Sequence, residues 1–364
     1  MRAHGRAWWL GAGVALLWAT TIQSAAPHPG ANRDHRGAGS DPVELRSQNS
    51  KAGQPLLWRD PIAIGERDLF YGSGGKEHLP QGPFTFIKED LDGSKPKFDV
   101  RDETGMKWKI KLGAEARPET VASRLVWAMG YFADEDYFVP QVTVRELPGH
   151  VHRGQRLIGP DGTMHNVRMK REPDDRRKIG TWKWADNPFK GTRELNGLRV
   201  LMAVINNWDL KDENNAIRGP RDRAGPEAAA SGNENEHLYE VSDLGSSFGS
   251  SGLERTDEAS EGNLRAYRAS HFIKSLEGDE VNFDVPRRPA LIVLANPRQF
   301  FSRLGLRAIG RHVPRKDAKW VGHLLAQLST DQLRSAFRAA GYVDQDIEGF
   351  TKVLQARILQ LDQL

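Results

Sequence analysis

The feature that most constrains this chain is a pair of short polar motifs, each set at the end of an apolar run. The first, Asp209-Leu210-Lys211-Asp212-Glu213-Asn214, follows residues 198–205 (LRVLMAVI), which read as the end of a buried helix. The second, Asp243-Leu244-Gly245, closes a short apolar strand at 237–241 (HLYEV). Asp, Asn and Lys crowd ordinary turns, so the hexamer alone reads as a solvated turn. Two motifs in this order, with a strand between them, carry more information. Transfer of a phosphoryl group needs a carboxylate to accept a hydroxyl proton, a lysine beside the γ-phosphate, and an amide with a second carboxylate to hold magnesium. Asp209, Lys211, Asn214 and Asp243 supply those groups in sequence.

A nucleotide would need further groups upstream. After the apolar pair Leu69-Phe70, the stretch Tyr71-Gly72-Ser73-Gly74-Gly75 is a glycine turn of the kind that lets backbone amides approach phosphates, and also ordinary hairpin chemistry. Strands are expected at 83–88, 97–101 and 106–112, with turns at Asp92-Gly93 and Thr104-Gly105. Alternation in 107–111 (KWKIK) puts Trp108 and Ile110 on one face and three lysines on the other. Lys111 is the one assigned to the α- and β-phosphates. A helix follows, opened by Arg117-Pro118 and stopped by Gly130, with apolar residues at helical spacing from Val121 to Met129. Glu119 in its first turn is the expected partner of Lys111. The helix dipole also favours a carboxylate there, and Glu115 is the alternative partner. Two more strands are expected at 137–147 and 166–170.

Taken together, the glycine turn, strand lysine, helix glutamate, D-x-K-x-x-N and D-L-G resemble the protein-kinase-like superfamily over roughly residues 70–250. The style is nearest to its atypical branch, which includes phosphoinositide kinases, bacterial toxin-type kinases, and secretory-pathway and spore-coat kinases. The resemblance implies an α+β, bilobal fold with a mainly β N-lobe (57–185) and a helical C-lobe (186–364). It also implies ATP with Mg2+ or Mn2+ as cofactors. Asp209 would be the base and Lys211 the γ-phosphate cation, with Asn214 and Asp243 holding metal. Lys111, Glu119, Gly72, Gly74 and Gly75 would position the nucleotide. The chain departs from typical protein kinases in three ways: Asn207-Trp208-Asp209 replaces His-Arg-Asp, Leu244 replaces Phe, and no Ala-Pro-Glu follows.

The N-terminus carries Arg2, His4 and Arg6, then 8–19 (WWLGAGVALLWA), then small residues to Ala26, the layout of a secretory signal. Export to the periplasm, cell surface or medium is expected, with an uncleaved segment as an alternative membrane tether. The chain has no cysteine, which excludes disulfides, thiolate zinc sites and cysteine nucleophiles. An exported chain without cysteine fits a bacterium better than a eukaryotic secretory route. Residues 27–56, rich in Gly, Pro, Ser and Asn, read as a linker, and 218–236 as a disordered low-complexity insertion.

Residues 246–262 read as a mobile substrate or activation segment, and the remainder as helices over 288–294, 297–304, 317–328 and 330–364. Trp182 and Trp184 lie in the charged connector 171–187, where packing between lobes is expected over a pocket role. The formal charge of +4, from 52 basic and 48 acidic residues, gives no basic-aromatic stripe and no indication of nucleic acid. His271, His312 and His323 lack metal-site spacing. The acceptor could be protein, lipid, sugar or small molecule. Two other readings compete: a kinase-fold scaffold without catalysis, and a calcium loop at 209–215, which lacks the glycine and terminal glutamate of an EF-hand.

Overall fold

The computed structural model describes residues 53–93, 95–172, 175–221, 235–249, 261–285 and 308–364. The expected export segment 1–26, most of the linker, and the helices expected at 288–294 and 297–304 lie outside those residues. No helix among the described residues is long and apolar enough to cross a membrane.

Along the chain come β1 (Gln54–Leu56), β2 (Phe84–Asp90), β3 (Lys97–Arg101), β4 (Lys107–Lys111), helix α1 (Ala116–Ala128), β5 (Phe132–Ala133), β6 (Asp136–Arg145), β7 (Thr163–Glu172) and β8 (Arg176–Gly180). Then follow α2 (Arg193–Val204), β9 (Asn215–Pro220), β10 (Glu236–Val241), α3 (Leu264–Ala269), β11 (Ile273–Glu277), β12 (Glu280–Phe283), β13 (Val313–Pro314), α4 (Arg315–Leu325), α5 (Thr330–Ala339) and α6 (Asp344–Asp362).

Strands β2, β3, β4, β7 and β6 form a barrel in that order, closed by parallel pairing of Phe84 with Val144 and Thr85 with Arg145. The period-2 pattern of each strand sends one face inward, so Phe98, Val100, Trp108, Ile110, Val167 and Met169 fill the interior. A second sheet runs β1-β10-β9-β8, with β5 also pairing β10. A larger apolar core lies beyond the barrel and takes in one face of α1, most of α2, and the apolar faces of α4, α5 and α6. The fold is therefore α+β with two lobes, each with its own core.

Several expectations need correction. Residues 54–56, assigned to the linker, are strand β1 paired in parallel with β10. Leu57, Ile64 and Leu69, expected in the β lobe, pack into the helical core, so the β lobe begins near Phe84. Arg218 to Pro220 belong to β9, not to the expected insertion, whose residues 222–234 lie outside the described ones. The region after Asp243 is not all helical, because β11, β12 and β13 form a small sheet of their own. Within the expected mobile segment, Phe248 is fully buried against Tyr267, Phe337 and Phe350, and its N–H donates to the Ile205 carbonyl at 2.8 Å. Ser329 caps α5 reciprocally with Gln332.

Candidate active site

Lys111 is the centre of the site. It ends β4 and is only 2% exposed. The lysines of this strand differ because burial deepens along it: Lys107 is exposed, Lys109 is half-buried and 2.5 Å from Asp90, and Lys111 faces α1. Glu115, preceding the helix, and Glu119, one turn later, share a face. The Lys111 Nζ lies 2.9 Å from Oε2 of Glu119 and 2.6 Å from Oδ1 of Asp243, and it also pairs with Glu115. Both candidate glutamates are engaged. Burial alone would lower the Lys111 pKa, but Glu119, Asp243 and Glu115 outweigh it and hold the ammonium well above its ordinary value.

Arg168 on β7 fixes Glu119 from the other side, its Nη2 donating to Oε1 at 2.9 Å. The sequence reading did not single it out, because a lone arginine in a strand carries no signal. Asp136 lies behind it: its Oδ1 is 3.5 Å from Arg168 Nε, and neither atom has a hydrogen-bond partner. A contact that long and poorly aimed does little to keep a carboxylate charged. Burial pushes the Asp136 carboxyl up to about 8, against the opposing pull of Arg168.

The charged network then crosses to the second sheet. Asp134 lies 3.3 Å from Lys170 and 3.1 Å from Arg218, and Arg218 also pairs with Glu240. Burial opposes ionisation of Asp134, but Lys170 and Arg218 outweigh it and hold the carboxyl well below its ordinary value. Burial instead raises Glu240 to about 7. Arg218 is therefore an ordered link between the sheets.

The residues of the D-x-K-x-x-N motif come together after α2. Arg357 donates to the carbonyls of Ala203 and Val204 at 3.0 Å each, satisfying groups that a helix end leaves open. The chain then turns through Asn206, whose φ is 54°. The Asp209 N–H is held by Asn207 Oδ1 at 3.1 Å, and Lys211 Nζ sits 2.8 Å and 3.0 Å from the two Asp209 carboxylate oxygens. Asn214 Nδ2 donates to the Asp209 carbonyl at 2.7 Å, and the Ser242 N–H donates to the Asn214 carbonyl at 2.9 Å. The two motifs read from the sequence are thus joined directly.

Asp243 has a left-handed backbone, φ 55°, which aspartate tolerates better than most residues, and its side chain is 49% exposed. Burial opposes its ionisation, yet Lys111 beside it holds the carboxyl below the usual range. Asn214 uses Nδ2 within the loop, leaving its Oδ1 as an acceptor, and Asp243 offers a half-exposed carboxylate. Two hard oxygen donors of this kind suit Mg2+ or Mn2+. Carboxylate oxygens of Glu115, Glu119 and Asp243 also lie within 4.8 Å of one another, with the Lys111 ammonium among them.

Gly72, Gly74 and Gly75 are placed elsewhere. A Cβ on Gly72 would meet Arg124, one on Gly74 would collide with Glu135 and Tyr137, and the Tyr137 hydroxyl donates to the Gly75 carbonyl at 3.0 Å. This turn packs against α1 and β6, and its nearest neighbours do not belong to the Lys111 cluster. The β2–β3 hairpin approaches instead. Lys95 lies 3.1 Å from Glu115 and 3.4 Å from Glu261, and Lys97 faces Lys111 in the β3–β4 register. The signal available for it was the turn Asp92-Gly93 followed by two lysines, one strand before the lysine strand.

No family model matches the sequence and no curated protein is significantly similar to it. Among solved structures, the chain is similar to the crystal structure of a Helicobacter pylori proinflammatory kinase, CtkA. That likeness has 10% identity and a TM-score of 0.41, and covers 77% of this chain and 95% of that one. Within the chain's own geometry, a strand lysine is ion-paired to a helix glutamate, and Ser242, next to the D-L-G turn, is hydrogen-bonded to the D-x-K-x-x-N loop.

Proposed function

We propose that this protein is an ATP-dependent phosphotransferase that uses Mg2+ or Mn2+ and a hydroxyl acceptor, and that it acts after export. The observation that carries the reading is the contact of buried Lys111 with both Glu119 and Asp243, while Asp243 stands next to the residue that hydrogen-bonds Asn214. Groups needed at the α-, β- and γ-phosphates are thereby gathered from segments far apart in sequence.

Each residue has a role set by its charge and placement. Lys111 positions the nucleotide phosphates, with Glu119 and Arg168 fixing its direction. Asp209 accepts the proton of the acceptor hydroxyl, and Lys211 neutralises charge on the transferred group. Asn214 and Asp243 would hold the cation, which supplies charge neutralisation at the β- and γ-phosphates. Export rests on residues 1–26, which lie outside the described structure.

A scaffold reading draws on one observation: Lys111 is already held by three carboxylates and Lys211 by Asp209. Calorimetry of the full chain with ATP, with and without each metal, separates the readings. Metal-dependent binding that Asp243→Ala abolishes and Asp209→Ala retains, with turnover lost in both, supports the phosphotransferase. No binding of nucleotide with either metal overturns it and leaves the scaffold.

A further inference from the structure

Beside the catalytic loop is a cavity of about 980 Å3, within the range of small-molecule sites, and neither Lys111 nor Asp243 lines it. Lys178, Lys183, Lys190 and Lys211 line it, and Trp184 and Leu195 supply apolar wall. Among the described residues, Lys178, Lys183 and Lys190 have no carboxylate partner. Arg199 also lines the cavity, but it donates to the Ile309 carbonyl at 2.6 Å and to Asn196 Oδ1 at 2.7 Å. Of the two acidic lining residues, Asp212 accepts the Trp184 N–H at 3.1 Å, and Glu213 is exposed.

Three unpaired ammonium groups around a concavity leave an excess of positive potential, which favours an anion. Three separate ammonium groups match a phosphate monoester, with about −1.5 to −2 charge on three acceptor oxygens, better than a carboxylate with one charge. Lys211 belongs both to this cavity and to the Asp209 ion pair, so a ligand seated here lies next to the proposed base.

We propose that this cavity is the acceptor subsite, and that the acceptor is an alcohol already bearing a phosphate group. The proposal rests on the phosphotransferase reading and narrows its substrate class. In the step, the acceptor oxygen bonds to the γ-phosphorus and its proton passes to Asp209. The bond from that phosphorus to the β–γ bridging oxygen breaks, and ADP leaves with the electron pair.

The test uses the full chain and two small probes, glycerol 3-phosphate and glycerol, titrated without nucleotide. Lys183→Gln combined with Lys190→Gln alters exposed side chains only, and ATP–Mg affinity serves as the control. The expected result is binding of glycerol 3-phosphate but not glycerol, weakened tenfold or more in the double variant, with ATP–Mg affinity unchanged. Vesicles of phosphatidylglycerol and of phosphatidylcholine separate the two sources. Binding to the former alone assigns the phosphate to a lipid headgroup, and binding of the soluble probe alone assigns it to a free metabolite. ATP–Mg binding with neither phosphate source bound, or equal affinity in wild type and double variant, overturns the subsite. Loss of ATP–Mg binding in the wild type overturns the phosphotransferase reading instead, and the acceptor role falls with it.

Discussion

Lys111 and Asp243, 132 positions apart in the chain, meet at 2.6 Å, so one contact joins the barrel's lysine strand to the turn after β10. Asp243→Asn keeps a residue that tolerates the left-handed backbone and removes only the charge. Glu115 and Glu119 remain on Lys111, and the Asp243 side chain is half-exposed, so the stability cost is about 1 kcal/mol or less. The expected outcome is a melting temperature close to wild type together with loss of metal-dependent ATP binding. A variant that binds ATP–Mg normally would remove Asp243 from the metal site.

Lys111→Met acts differently, because it takes the shared buried ammonium away from Glu115 and Glu119 and leaves them to Lys95 and Arg168 alone. Breaking a buried ion pair by removing one partner costs about 3–5 kcal/mol. Adding Glu115→Gln removes one of the excess negative charges while Lys95 keeps Glu261 and Arg168 keeps Glu119, and should recover part of that loss. Urea midpoints of the single and double variants check this, and a double variant no more stable than Lys111→Met would contradict the ion-pair account.

Asp136 makes stability depend on pH. Its folded value of about 8 lies above that of an unfolded aspartate, about 4. The stability tied to its neutral form is therefore complete below about pH 4 and is lost as pH rises through about 8. The slope is at most about 1.4 kcal/mol per pH unit. Glu240, raised to about 7, acts in the same sense over part of that range. Asp136→Asn should thus reduce the loss between pH 5 and pH 8 without abolishing it. Denaturant midpoints at both pH values provide the comparison, and an unchanged loss in the variant would show that Asp136 is ionised in the folded protein.

Phe248 gives a test of the region after Asp243. It is fully buried and meets Phe337 edge-on at 5.3 Å and Tyr267 at 5.4 Å. Phe248→Ala should cost about 3–5 kcal/mol through lost burial and the cavity left behind. A loss below about 1 kcal/mol in chemical denaturation would mean that this segment leaves the core readily.

The sequence was legible where periodicity and punctuation agreed. Pro118, the apolar spacing from Val121 and Gly130 at φ 87° marked α1, and alternation in β4 put Lys111 on the face opposite Trp108 and Ile110, together with the two other lysines. The D-x-K-x-x-N loop and the D-L-G turn are hydrogen-bonded neighbours, as their order suggested. Arg168 and Arg218 were not legible, since their partners, Glu119 on α1 and Glu240 on β10, are distant in sequence and such pairing leaves no local pattern. Strands β11, β12 and β13 were missed for a related reason: each has five residues or fewer, too short for period 2 to stand out. Gly72-Ser73-Gly74-Gly75 was ambiguous because glycine also marks places where side chains crowd a backbone, and here Arg124, Glu135 and Tyr137 do so.

That contrast sets the last prediction. The β2–β3 hairpin brings Lys95 to Glu115, which itself pairs with Lys111, whereas the Gly72–Gly74 turn packs on Arg124 and Tyr137. Lys95 pairs with Glu115 and Glu261, carboxylates that a nucleotide's phosphates can replace, so Lys95→Ala should weaken ATP–Mg binding about tenfold, the effect of one charged contact. Gly74→Ala places a methyl against Glu135 and Tyr137 and should cost about 1–3 kcal/mol of stability. Its ATP–Mg affinity should stay at the wild-type value under conditions where the variant is folded. Calorimetry on the two variants decides between the turns. Weakened binding in Gly74→Ala with normal binding in Lys95→Ala would return the phosphates to the glycine turn.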